Sequence, residues 1–188
     1  VRAPTLGTPK IITCSGATIS TNNVDFRDIT FARSTAGALD LTAGGTTSVG
    51  NCGGNSKTLG DSSTLTFTTA TTQSWVGGAA ESWSTATWDG GATDRVPLPQ
   101  DSVILAPDTV ARVLTVDMPR IGYDLSVTRG KLTLGIGTTS YGSVNFTNLG
   151  ALAGAFGWTF ESKDRSGTHT LTSAGIPFIN TVTGGYLS

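Results

Sequence analysis

Apolar and polar side chains alternate with a period of two in short bursts, separated by Gly, Asn and Ser. That period puts successive side chains on opposite faces of an extended chain, so each burst predicts a strand. The predicted strands are 17–19, 24–31, 38–41, 64–68, 103–105, 113–116, 125–128, 131–134, 143–147, 157–161, 168–172 and 179–183. The inward set is Leu114/Val116, Leu125/Val127, Leu132/Leu134, Val144/Phe146 and Trp158/Phe160. Thr and Ser fill the outward positions. There a β-branched side chain suits the pleat, and a hydroxyl meets water without like-charge repulsion. The opening VRAPTLGTPKIITCSG reads as linker running straight into a strand, and the closing TVTGGYLS stops where a strand should begin. Both ends read as cut from a longer chain or as awaiting completion by a neighbouring subunit.

Spacing decides between two all-β architectures. The inward pairs of the second half begin at residues 114, 125, 132, 144, 158 and 171, in steps of 11, 7, 12, 14 and 13. Such intervals suit a β-sandwich or a solenoid. Each burst carries only two or three inward residues, as one face of a coil demands. Tight Asn-Gly or Asp-Gly hairpin turns are nearly missing, Asp89-Gly90-Gly91 being the one candidate. TLTFTTA, KLTLGIG, SVNFTNL and THTLTSAG look like degenerate copies of one element. The expectation is therefore a parallel β-helix with a Trp-rich capping region, the sandwich being the alternative. Such a helix takes about 20 to 25 residues per coil and stacks its coils at ~4.8 Å.

Composition narrows the field further. Thr, Ser and Gly fill 76 of 188 positions, while Lys, Glu, Gln and Met together number nine, so a helical bundle is excluded. Charged residues are 13% of the chain and the net charge is −1, with no basic cluster, which argues against a nucleic-acid partner. The longest apolar run, from Leu149 to Trp158, contains three Gly and is too short for a membrane helix, so no membrane insertion is expected. An apolar fraction of 37%, with polarity coming from small hydroxyls rather than charge, argues against disorder.

The pattern breaks at 73–102, QSWVGGAAESWSTATWDGGATDRVPLPQDS, which holds Trp75, Trp83, Trp88, Pro97 and Pro99. This divides the chain into an N-terminal β segment (1–72), a Trp/Gly/Pro-rich boundary or cap (73–102) and a C-terminal β-helix-like segment (103–188). The three indoles admit two roles. They can plug the end of a solenoid, whose last coil would otherwise expose its core and strand edges, or they can stack on sugar rings of a glycan.

Other chemistry is sparse. Cys14 and Cys52, in ITCSGAT and VGNCGGN, form one disulfide if the chain lives outside a cell, or remain two buried thiols. His169 alone cannot make a metal site with them, and no cofactor motif is present, since the Gly pairs lack the context of a phosphate loop. In THTLTS, His169 reads as a surface strand residue. Acids come in pairs: Asp25 and Asp28 in NNVDFRD, Asp89 and Asp94 in DGGATD, Glu161 and Asp164 in FESKDR. Two such acids across a groove could cleave a polysaccharide. Adjacent Arg27, Lys163 and Arg165 make solvated turn charges or ion pairs the plainer reading. Asn22 and Asn23 suit a turn.

The stretch from Glu81 to Gly135 resembles the opening segment of β-helical repeat proteins found in bacteriophage virions and bacterial surface adhesins. The shared pattern is a Trp pair, a Gly-rich turn, a VP.P.D.V run and then short Thr-rich strands. Here it falls on Trp83, Trp88, Val96, Pro97, Pro99, Asp101, Val103 and Leu105. SVGNCGGNSKTL upstream and SGTHTLTSAGIPFINTVTGG downstream also look like such virion proteins. This chain has one Trp unit rather than a series, and the family supplies no catalytic residues to carry over. The resemblance implies a non-enzymatic structural and host-attachment module of a virion, such as a tail fibre, spike or surface fibre. Its partners would be copies of itself, other virion proteins and a host surface glycan, and its place the virion or extracellular surface. The alternatives are a tailspike-like polysaccharide depolymerase, using two of Asp25, Asp28, Glu161 and Asp164, or a subunit of a bacterial extracellular adhesive filament.

Overall fold

A computed structural model describes residues 1–5, 7–15, 19, 24–33, 37–42, 48–58, 64–91, 94–107, 111–154, 157–161 and 168–175. The expected strand 179–183, most of 17–19, and the residues Asn22, Asn23 and Asp164 lie outside this set. The described residues form β-strands and turns, with no helix among them. They fall in two compact units, one spanning Val1–Ala70 and the other opening at Thr71.

The first unit holds β1 (Lys10–Cys14), β2 (Val24–Phe26), β3 (Ile29–Arg33), β4 (Leu39–Asp40), β5 (Val49–Asn51), β6 (Ser56–Thr58) and β7 (Leu65–Thr66). They make three small parallel sheets, ordered β1-β3-β6, β2-β5 and β4-β7. Phe26, Ile29, Phe31, Leu39, Leu41 and Val49 are buried together at the centre. The single strand expected at 24–31 is in fact two. Asp28 adopts a φ of +55°, which ends β2 and turns the chain into the next sheet. Asp tolerates that left-handed conformation because its short polar side chain bonds locally.

The second unit contains β8 (Thr72–Trp75), β9 (Ala80–Ser82), β10 (Trp88–Asp89), β11 (Ser102–Leu105), β12 (Val113–Val116), β13 (Arg120–Gly122) and β14 (Leu125–Val127). It continues with β15 (Lys131–Leu134), β16 (Thr138–Ser140), β17 (Val144–Asn145), β18 (Ala151–Gly154), β19 (Trp158–Phe160) and β20 (Leu171–Thr172). Three sheets result, ordered β10-β8-β11-β14-β17-β20, β18-β15-β12-β9 and β13-β16-β19. From β8 onward each parallel partner is the strand three places later in the chain. The exception is β10, which runs antiparallel to β8 and ends that sheet. Among the described strands the antiparallel pairing a sandwich would require is confined to this one contact.

Register explains why the sheets hold. Val103, Leu125, Val144 and Leu171 are successive partners, as are Leu114, Leu132 and Leu152, so apolar side chains stack in columns. The inward set read from the sequence is buried throughout except for Phe160, which is half-buried. Burying one such side chain contributes roughly 1.5–3 kcal/mol, and a column repeats that gain at each level. The third sheet departs from the apolar pattern. Arg120, Thr138 and Ser140 are buried there. The small Thr138 and Ser140 stand beside the bulky Trp158 and Phe160 in register, and the Trp158 indole donates to the Ser140 hydroxyl.

Candidate functional site

The segment 73–102 belongs to the second unit. Trp75 and Trp83 are fully buried and Trp88 nearly so. In the β8/β10 pair Trp88 stands opposite Trp75. The Trp83 and Trp88 rings pack with centroids 4.8 Å apart, tilted by 58°. Trp88 Nε1 donates to the Trp83 carbonyl (3.1 Å), and Trp83 N donates to Thr115 of β12 (2.7 Å). Trp75 Nε1 donates to Glu81 Oε2 (2.8 Å). Of the two roles open to the indoles, sugar stacking needs an exposed ring face, and none of the three offers one. The three indoles are packed inside the second unit, and β10 forms the end strand of its sheet.

Glu81 organises the turn beneath this cluster. Besides the Trp75 indole, its carboxylate accepts from the backbone of Gly78 (2.7 Å) and Thr87 (3.0 Å). Burial opposes ionisation here, but these donors together outweigh it and hold the Glu81 carboxyl below its usual range. Gly77 leaves room for this arrangement, since a β-carbon there would push the Glu81 carboxylate out of its place. The Gly77 carbonyl in turn accepts from the Arg112 guanidinium.

The VPLPQD run closes around Asp101, whose side chain is fully buried. Arg95 grips it with both arms of the guanidinium, Nη2 to Oδ1 at 2.6 Å and Nε to Oδ2 at 3.2 Å. Leu98 N and Thr71 N each donate to it at 2.8 Å. Buried Gln73 joins this knot, donating to Thr71 Oγ1 (2.8 Å) and accepting from Arg95 N (3.3 Å). Arg120 Nε caps the Pro97 carbonyl (3.1 Å), tying the loop to β13. A buried ion pair of this kind holds only when further donors occupy the remaining lone pairs, as they do here. Two residues of the VPLPQD run, Pro97 and Asp101, thus act as anchors of a loop. Gln73, Glu81, Arg95 and Arg120 were not singled out in the sequence. Their only signal was polarity within or beside a strand.

The paired acids are placed as follows. Asp28 is fully buried, not a solvated turn charge. It accepts from Gly7 N (3.1 Å) and lies 4.0 Å from the Arg27 guanidinium, in line with the ion-pair alternative. Asp25 lies in β2 of the first unit, while Glu161 follows β19 in the second. Asp89 and Asp94 serve a surface turn, accepting from Gly91 N and Gly90 N (both 3.0 Å). Asp117 receives the amide and hydroxyl of Ser84, and Asp124 receives Ser143 N (2.7 Å).

Cys14 and Cys52 are free thiols. Cys14 donates to the Ala32 carbonyl at 3.5 Å, and Cys52 is buried beside Phe26, whose carbonyl accepts its amide. His169 precedes β20 instead of lying in a strand, and is half-buried edge-on to Tyr123, with centroids 5.8 Å apart. Among the described residues no three His, Cys, Asp or Glu side chains gather to hold a metal ion. No protein-family model, curated protein or solved structure matches this chain.

Proposed function

We propose that the chain is a parallel β-helical, non-enzymatic structural and host-attachment module of a bacteriophage virion, part of a tail fibre, spike or surface fibre. The observation that carries this reading is the pairing rule of the second unit, in which strand n pairs in parallel with strand n+3 across three sheets. A backbone that visits three sheets and returns one strand spacing further on, about 4.8 Å, winds into a stack of coils. Stacked coils make a stiff body whose levels stabilise one another.

The acids support a holding role as well. Asp28, Asp40, Glu81, Asp101, Asp117 and Asp124 each accept hydrogen bonds from their own chain and lock turns. Outward positions such as Thr115, Ser126 and Thr133 carry hydroxyls, which suits a low-charge outer surface. The partners in this reading are copies of the chain, other virion proteins and a host surface glycan. With the indoles buried, contact with the glycan falls to the outer hydroxyl faces.

Electron microscopy of the purified chain, combined with retention of labelled protein on bacterial cells, tests the proposal. Rod-like particles that assemble further and stay on cells support it. Compact monomers that bind no cell overturn it, and release of reducing sugar from capsule or lipopolysaccharide overturns its non-enzymatic part.

A further inference from the structure

We draw no further inference here: the strongest candidate, the outer edge of β1 with Ile11 68% exposed on the end strand of its sheet, carries nothing because nothing in the structure shows what covers it.

Discussion

Trp88 stands directly opposite Trp75, two buried indole residues on adjacent strands that run in opposite directions. The other named strand pairs are parallel. The reversal places β10 along the side of β8 away from β11, so the parallel sheet ends against a short strand anchored by Trp88. A sheet edge otherwise presents unpaired backbone groups to any passing strand. Substituting Trp88 by Ala removes the anchor and its contact with Trp83. The expected loss is about 3–5 kcal/mol of stability, with aggregation as the sheet edge opens. Chemical denaturation and light scattering measure the two effects, and a Trp88→Ala protein as stable and monodisperse as the parent would refute the cap.

Asp101 and Arg95 form a pair that tolerates loss of neither partner. Asp101→Ala leaves the guanidinium, Leu98 N and Thr71 N facing a void. Breaking a buried pair from one side costs about 3–5 kcal/mol. The denaturation midpoint followed by Trp emission should fall accordingly. A shift within the scatter of ordinary surface substitutions would mean that the knot is not what holds the loop.

Glu81 gives a pH dependence of defined sign. Its folded-state pKa lies below the ordinary glutamate value, so its contribution to stability is complete above that ordinary value and declines as pH falls through the folded-state value. Glu81→Gln replaces one acceptor by an amide that faces N–H donors, costing about 1–3 kcal/mol near neutral pH. The gap between parent and variant should narrow as acidification carries the pH down through the folded-state value. Thermal melts across that range check it, and a gap that stays constant contradicts the assignment.

Register separates inward from outward positions along a single strand. Leu132 sits in the column between Leu114 and Leu152, whereas Thr133 points away from the core. Leu132→Ala should cost about 2–5 kcal/mol. Thr133→Ala should stay within about 0.5 kcal/mol of the parent. Equal effects would mean that β15 is in the wrong register.

The two thiols should differ in access. Cys14 is half-buried and Cys52 is buried. A thiol reagent followed by mass spectrometry should label Cys14 in the native protein and both residues in denaturant. Failure to label either one in denaturant without reductant would indicate a disulfide.

The core of the second unit was legible because its columns are built from alternating Leu, Val and Phe. The sheet formed by β13, β16 and β19 was only partly so. Arg120, Thr138 and Ser140 are inward there, and a buried hydroxyl beside a Trp looks like a surface Thr or Ser in the sequence. β5, β6 and β18 were missed for a related reason, since VGN, SKT and ALAG lack a repeating apolar alternation. In the Trp segment the indoles could be singled out but not their setting. The pairing of Trp75 with Glu81, or of Arg95 with Asp101, depends on turns whose geometry no periodicity encodes. The corner at Asp28 was likewise hidden, because its left-handed φ falls inside a stretch, 24–31, that reads as one alternating strand.

The reversed strand also bears on the order of folding. Trp75 and Trp88 are 13 residues apart, whereas the parallel partners of the second unit are separated by 18 residues (Val113 and Lys131) to 33 (Ala80 and Val113). Closing a shorter loop sacrifices less chain entropy, so the indole hairpin is the quickest contact for this region to make. Later strands of this sheet, from β11 onward, then pair one after another onto an edge already in place.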